Sequence, residues 1–299
     1  SVGVSWGQVA MNMIRQQWVP PKEMATVMGA ILSGNTIVQS GGLLLVPVLL
    51  VTFGSWRPIY GFGSIVLFTI AIVWFLTARE RISPSYETAR NADRGLKSAK
   101  VVLRRREFYL LGLAGGGGAT AFLTFLLFLP SYYIEERDFT LQTAGAITAV
   151  IPLGGLVVNL LAGYVSDRIG RRKPLIWPSG IMLPGLWLLM LMPLSPPVLM
   201  AIAIPLGAFV FMPFPVLQSI PFEIEGLSPA DRAVGQALQF SIVTVGALLG
   251  PLVVGMVVGA TGSYFTGLLP LIALPTFFIW ATLFLPETGT AAKTDSPSA

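Results

Sequence analysis

Residues 163–173 read Gly-Tyr-Val-Ser-Asp-Arg-Ile-Gly-Arg-Arg-Lys, a short polar segment between two long stretches without charge. The stretch before it runs from Phe139 to Ser166, and the stretch after it runs from Pro174 to Phe222. A helix needs about 20 apolar residues to cross the hydrocarbon core of a bilayer, so both stretches are long enough to span it. Residues 163–173 are therefore predicted to form a loop between membrane-spanning helices.

The same absence of charge continues along the whole chain of 299 residues. Hydrophobic residues make up 54% and charged residues only 11%, whereas soluble domains carry about a quarter charged residues. The chain is therefore predicted to be an all-α polytopic membrane protein with nine spans. These spans are 1–18, 24–52, 58–78, 108–134, 139–163, 174–192, 198–222, 233–259 and 263–286.

The positions of Lys and Arg predict the orientation of these spans. If residues 79–107 are cytoplasmic, strict alternation places 17 of the 19 basic residues on the cytoplasmic side and only Arg57 and Arg137 outside. Such an excess is typical of cytoplasmic loops, and it also makes the C-terminus cytoplasmic. The net charge of +5 equals that of residues 79–107 alone. This concentration favours a basic connector beside anionic lipid and argues against nucleic-acid binding.

Within the connector, one apolar stripe follows helical spacing. It consists of Ala92, Leu96, Ala99 and Leu103. The stripe indicates an amphipathic helix on the cytoplasmic membrane surface. A connector without such a helix is the open alternative.

Two parts of the chain that are 208 residues apart resemble each other. At this offset nine of 35 positions are identical, beginning with Pro21 and Pro229 and ending with Ser55 and Ser263. The offset places the second span on the eighth and the third on the ninth, and parallel repeats of this kind are a transporter architecture. A six-helix repeat makes residues 108–286 one complete unit. We therefore expect the chain to lack the first three helices of the preceding unit, and to be inactive alone for that reason.

The residue types in 163–173 have a physical meaning at a membrane edge. Gly163 is predicted to allow close helix packing, and Gly170 a tight turn. Asp167 can meet the positive N-terminal end of another helix, while the arginines can pair with acids or lipid phosphate. The simpler alternative is a positively charged loop with a helix cap.

The spacing of these residues resembles the GxxxDRxGRR signature of the major facilitator superfamily. The residues that match it are Gly163, Asp167, Arg168, Gly170, Arg171 and Arg172, and Leu285–Gly289 is similar to a PETxG-like ending of many members. The resemblance implies helices 4–12 of a 12-helix bundle with two halves. Residues 1–78 then end the N-terminal half, 79–107 form the central loop, 108–286 form the C-terminal half, and 287–299 form a tail.

The resemblance also implies a function. It points to a secondary active transporter of the inner or plasma membrane that moves a small solute by alternating access and is a monomer at full length. In the family the acid at the position of Asp167 closes the cytoplasmic side, so we expect it to contact the start of the second span at Pro21–Ala25. A channel or a transporter-derived sensor shares every one of these helix signals and remains the alternative.

Amide side chains are costly in lipid and are expected to face protein or water. The candidates for the substrate pathway are Asn35, Gln39, Gln236 and Gln239, with Phe211 and Phe214 as aromatic contacts. The alternative role for the amides is hydrogen bonding between helices. Tyr132 and Tyr133 are predicted to lie in an interfacial aromatic belt.

Several function classes are excluded by composition. The chain has no cysteine and no histidine, and its spans contain no nucleophile with a base and no metal-ligating cluster, so we predict no enzyme activity, metal or cofactor. No ionisable residue lies well inside a span. The expected partners are the lipid bilayer and a small solute, with a proton or sodium as the possible coupling ion.

Overall fold

The computed structural model describes residues 24–77, 96–224 and 226–287, and every regular element within these ranges is helical. The α-helices are α1 (Met24–Phe53), α2 (Trp56–Thr77), α3 (Leu96–Leu103), α4 (Arg106–Glu135), α5 (Leu141–Ile169), α6 (Trp177–Met190), α7 (Pro196–Phe211), α8 (Pro213–Glu223), α9 (Pro229–Thr261), α10 (Tyr264–Leu268) and α11 (Phe277–Phe284). Short 3₁₀ helices cover Lys173–Leu175 and Leu269–Thr276. The predicted all-α class is confirmed.

Seven helical stretches in the described residues are long and apolar enough to cross a membrane. They match the second to fifth and the seventh to ninth predicted spans, and the first predicted span lies outside the described residues. The sixth prediction, 174–192, is wrong in length, since α6 has only 14 residues and is about 21 Å long. In a helix that began at Pro174, Pro178 would lie in the second turn and would lack the N–H that bonds to the residue 174 carbonyl. The α-helix therefore begins at Trp177, with Pro178 in its first turn.

The seventh predicted span is a broken helix. Here α7 ends at Phe211, Met212 follows it, and α8 begins at Pro213. Proline removes one backbone donor and its ring crowds the preceding turn, which explains the break at this position. Two of the proposed pathway residues, Phe211 and Phe214, flank the break.

The helix boundaries repeat at the offset found in the sequence. Helix α1 ends at Phe53 and α9 at Thr261, and each is followed by a glycine with positive φ, 62° at Gly54 and 70° at Gly262. Glycine adopts this conformation without steric cost, so it ends both helices in the same way. The next helices then begin at Trp56 and Tyr264, again 208 residues apart.

The helices from α4 onward share one hydrophobic core, and α4 is its most buried member. This helix packs on α9 and α11 through glycines. A Cβ added to Gly117 would lie 2.6 Å from the Leu274 carbonyl oxygen, and one added to Gly118 would lie 2.4 Å from the Phe278 ring. Helix α4 contains no Asn or Gln. Its burial by close packing gives a physical reason for this lack of amide side chains. Helix α5 packs between α7 and α1, and α2 packs on α1.

Candidate functional site

The motif predicted from the sequence begins at the end of α5. Gly170 has a φ of 67° and donates its N–H to the Ser166 carbonyl oxygen at 3.0 Å, so it closes the helix and turns the chain. The tight turn expected at this glycine is therefore present. It directs Arg171 and Arg172 back along the end of the bundle.

Arg172 is the most extensively bonded residue of the motif. Its Nε donates to Glu223 Oε1 at 3.0 Å and to Oε2 at 3.2 Å, and its Nη2 also contacts Oε1. Its Nη1 donates to Ser166 Oγ at 2.7 Å. The Arg172 and Glu223 side chains are 11% and 21% exposed. Such a shielded, multiply bonded pair is more stable than an ion pair on the surface.

The backbone beside this ion pair binds a second acid. Glu287 Oε1 accepts hydrogen bonds from the Arg172 N–H at 2.7 Å and the Lys173 N–H at 3.2 Å. We name the group of Ser166, Arg172, Glu223 and Glu287 the Arg172 clamp. It connects the end of α5, the end of α8 and the segment after α11.

Other motif residues have different surroundings. Arg168 and Arg171 are exposed. A Cβ added to Gly163 would meet nothing within 4 Å among the described residues, so they do not show the close packing predicted there. The Asp167 side chain and the Pro21–Glu23 segment lie outside the described part of the chain. The contact predicted between them stays a prediction.

The opposite end of the same helices is also bonded together. Tyr132 donates to the Leu191 carbonyl oxygen at 2.6 Å, Tyr133 to that of Met190 at 2.9 Å, and Arg137 to that of Met192 at 2.7 Å. Both tyrosines are buried, at 3% and 0% exposure. The predicted interfacial belt is therefore wrong for them, because their hydroxyls satisfy the carbonyl groups at the end of α6.

The amide candidates fall into two groups. Asn35 is exposed on α1, and Gln39, one turn further, is half-buried. On α9, Gln236 is half-buried and Gln239 is 6% exposed. The Oε1 atoms of Gln39 and Gln239 are buried without a hydrogen-bond partner among the described residues. Helix α1 packs mainly on α5 and α9 on α4, and no hydrogen bond within the described residues joins the two groups.

A third set of polar residues lies between α1 and α5, where the amide of Asn159 was expected to face protein or water but its partners Ser33 and Thr36 were not singled out from the sequence. Asn159 Nδ2 donates to Thr36 Oγ1 at 3.2 Å, and Ser33 Oγ donates to the Leu156 carbonyl oxygen at 3.5 Å. Asn159 and Thr36 are each only 1% exposed. The signal was available, because Ser33, Thr36 and Ser40 follow helical spacing along one face of α1.

The aromatic candidates mainly pack inside the bundle. Phe211 makes an edge-to-face contact with Phe122 at 5.1 Å between ring centroids and a tilted contact with Phe214 at 6.4 Å. A Cβ added to Gly155 would lie 2.1 Å from the Phe211 ring. Both Phe211 and Phe214 remain half-buried. Their rings therefore have one packed side, against α4 and α5 in the case of Phe211.

The acids of the clamp were also missed. Glu223 and Glu287 end the seventh and ninth predicted spans, and strict alternation of spans places both on the same side of the membrane as residues 163–173. That shared side was a usable signal for a contact with the arginines. Within the described residues no group of three His, Cys, Asp or Glu side chains is arranged to hold a metal ion.

Comparison with known proteins identifies a family and several relatives. The family model of the Major Facilitator Superfamily matches residues 1–224. The chain is 26% identical over 204 residues to the probable nitrate/nitrite antiporter of Thermus thermophilus, and 28% over 188 residues to the cis,cis-muconate transport protein of Acinetobacter baylyi. It is 22% identical over 327 residues to probable anion transporter 4, chloroplastic, of Arabidopsis thaliana.

These alignments cover 64%, 58% and 98% of this chain, in the same order. They cover 42%, 43% and 59% of the relatives' own lengths. The chain thus spans less than two thirds of each of these proteins.

Proposed function

Because the chain belongs to the Major Facilitator Superfamily, a family that includes transporters, we propose that it works in the secondary active transport of a small anion. The proposed mechanism is alternating access across the inner or plasma membrane, with the C-terminus in the cytoplasm. The substrate class is supported by the names of the relatives, which refer to nitrate and nitrite, to cis,cis-muconate and to anions. The coupling ion is a proton or sodium, and the full-length protein works as a monomer.

The Arg172 clamp is the observation that carries the mechanism. It fastens the ends of α5, α8 and the segment after α11, while Tyr132, Tyr133 and Arg137 fasten α4 to α6 at the other end. Residues 108–286 are thereby suited to move as one rigid half. Residues 1–78 belong to the other half, 79–107 connect the two, and 287–299 form the tail.

In this proposal the contact between α1 and α5 is the contact between the two halves. It contains the small and polar side chains of Ser33, Thr36 and Asn159. Such a contact can separate at a smaller cost than a close-packed apolar core, because water replaces the lost partners. The substrate would bind between the halves, near the middle of the membrane.

The amides of Asn35, Gln39, Gln236 and Gln239 are the proposed substrate contacts, with Phe211 and Phe214 beside them. An anion needs hydrogen-bond donors, and each amide NH₂ group supplies two. Buried Gln239 and half-buried Gln39 carry amide oxygens without described partners, which is a costly arrangement in an apolar interior. Water in the pathway would donate to these oxygens and lower this cost, while the NH₂ groups of the same amides remain available to donate to an anion.

A transport assay tests the proposed function. The chain is fused to a three-helix N-terminal segment that completes the expected first half, and the fusion is reconstituted in proteoliposomes loaded with unlabelled nitrate or cis,cis-muconate. Uptake of the labelled anion is then followed with and without proton and sodium gradients. We expect uptake by exchange in wild type, a loss of at least tenfold in Gln239→Leu, and little change in Gln142→Leu, whose side chain is exposed on α5. Equal uptake by liposomes without an internal anion or gradient would indicate a channel. Anion binding without any flux would indicate a sensor.

We also propose that Asp167 closes the cytoplasmic side against the start of α1. The variant Asp167→Asn should slow exchange while leaving membrane insertion unchanged, since it removes a charge from the gate and not from the packed core. Asp138→Asn is the matched control, because Asp138 is exposed and its φ of 53° suits asparagine. Unchanged exchange by the Asp167 variant at normal expression would remove the gate role.

A further inference from the structure

A short basic helix lies immediately before the membrane-spanning helix α4. Helix α3 ends at Leu103, and α4 begins at Arg106 after a turn of two residues. The inner face of α3 is formed by Ser98 and Val102, which are 6% and 1% exposed, and α3 packs on α9. This packing holds the helix at the edge of the bundle.

The packing of α3 on the start of α9 fixes the orientation of α3. Hydrogen bonds from Ser228 and Ser98 hold the pKa of the Asp231 carboxyl below its usual range. Ser228 also forms a capping box with Asp231 at the start of α9. Because the buried side of α3 at Ser98 and Val102 packs on this structured helix, the outer face of α3 has a defined position.

The three consecutive arginines after α3 differ in solvent exposure. Arg105 is half-buried, with its Nη1 3.8 Å from Glu107 Oε1. Arg104 and Arg106 are exposed, as is Lys100 on the preceding turn. Among the described residues no carboxylate forms an ion pair with Lys100, Arg104 or Arg106. Three positive charges at and after the end of α3 are thus left without a described acidic partner.

Apolar side chains are exposed among these charges. Val101 is 42% exposed, Leu103 is 56% exposed and Tyr109 is 37% exposed, with the Tyr109 hydroxyl donating to the Leu103 carbonyl oxygen at 3.2 Å. A basic surface that only contacted water would gain nothing from exposing large apolar groups. A surface at the boundary between hydrocarbon and headgroups gains from both kinds of side chain.

We propose that this surface binds the headgroup of an anionic phospholipid. We name it the α3 face and define it by Lys100, Val101, Leu103, Arg104, Arg106 and Tyr109. The basic groups pair with the lipid phosphate, and the apolar groups lie along the upper acyl chains. The position supports a lipid partner, because the face is within one helical turn of the first residues of α4, which crosses the membrane. Charge complementarity selects anionic over zwitterionic lipid.

The test counts lipids retained by the full chain. The protein is reconstituted in nanodiscs that contain equal amounts of phosphatidylglycerol and phosphatidylcholine, released into mild detergent, and analysed by native mass spectrometry. We expect wild type to retain phosphatidylglycerol selectively. Removal of each basic residue should weaken the affinity for phosphatidylglycerol by about fivefold. The variant K100Q/R104Q/R106Q should therefore lose the selectivity.

Two controls separate lipid binding from a general loss of charge or structure. Arg57→Gln removes an exposed arginine elsewhere and should leave retention unchanged, whereas Arg104→Gln should reduce it. Arg104→Lys keeps the charge and should restore retention, which a damaged helix would not allow. Equal retention of both lipids by wild type, or undiminished phosphatidylglycerol retention by the triple variant, would overturn the proposal. Retention lost equally in R104K and R104Q would overturn it as well.

Discussion

Arg168 and Arg172 belong to the same basic turn, but the structure gives them different surroundings. Arg168 is exposed, whereas Arg172 is bonded to Ser166 and Glu223 through its side chain and to Glu287 through its backbone. The difference follows from the turn at Gly170, because only residues after the turn are directed back toward the ends of α8 and α11. The two arginines therefore form a matched pair for mutation.

Arg172→Gln should lower the stability of the bundle by about 1.5–3 kcal/mol, the usual contribution of hydrogen bonds to charged groups. The variant leaves Glu223 partly buried without its cation, and this adds to the loss. Arg168→Gln should change stability by less than about 0.5 kcal/mol, as surface substitutions do. Thermal unfolding of the detergent-solubilised protein measures both effects. Equal stability of the two variants would show that the clamp does not hold the helices together.

The sequence predicted part of this site correctly, for a clear reason. The turn at Gly170 depends on local backbone conformation, which a short motif specifies. The partners Glu223 and Glu287 are far away in the chain and meet Arg172 only after α8 and α11 have packed. The burial of Tyr132 and Tyr133 likewise depends on the short length of α6, which places its last carbonyl groups within reach of their hydroxyls.

Among the helices, α5 and α7 approach each other closely at two glycines. A Cβ added to Gly207 would lie 1.8 Å from the Ile151 carbonyl oxygen, and one added to Gly154 would lie 2.2 Å from that of Ile204. Both neighbours are backbone atoms, which cannot move aside like a flexible side chain. The crossing therefore requires glycine on both helices.

Gly207→Ala should destabilise the protein by about 1–3 kcal/mol, the typical cost of overpacking. Gly185→Ala on α6 is the matched control, because a Cβ there would meet nothing within 4 Å among the described residues. The control should be neutral or slightly stabilising, since alanine has the higher helix propensity. Thermal unfolding compares the two variants. A stable Gly207→Ala protein would show that the α5 and α7 crossing differs from the one described.

Most helix boundaries were predictable because charges cannot be placed in hydrocarbon at low cost. The uncharged runs gave α1, α2, α4 and α9 to within a few residues of their ends. The runs could not give the break between α7 and α8, or the 3₁₀ segment before α11, since these depend on proline and not on charge. The repeat offset predicted that α1 and α9 end at equivalent positions, and a glycine with positive φ follows each of the two helices.

At the scale of the whole molecule, the account depends on two halves that move relative to each other. The contact between α1 and α5 is polar in its centre, at Thr36 and Asn159, while the core from α4 onward is apolar and continuous. Charge and motif patterns predicted most of the membrane-spanning helices and the family. They could not predict which amide side chains face each other, because that depends on helix rotation within the bundle.

Alternating access requires that the two ends of one pathway helix open to water in turn and never together. The chain contains no cysteine, so Arg232→Cys and Val257→Cys each give a single labelling site in a fusion whose N-terminal segment is also free of cysteine. The two positions lie on one face of α9, about seven turns and about 38 Å apart, on either side of the proposed contacts Gln236 and Gln239. Labelling is followed in proteoliposomes while nitrate or cis,cis-muconate is added on one side. Under alternating access, any condition that increases labelling at one site should decrease it at the other. An increase at both sites under one condition would rule this mechanism out.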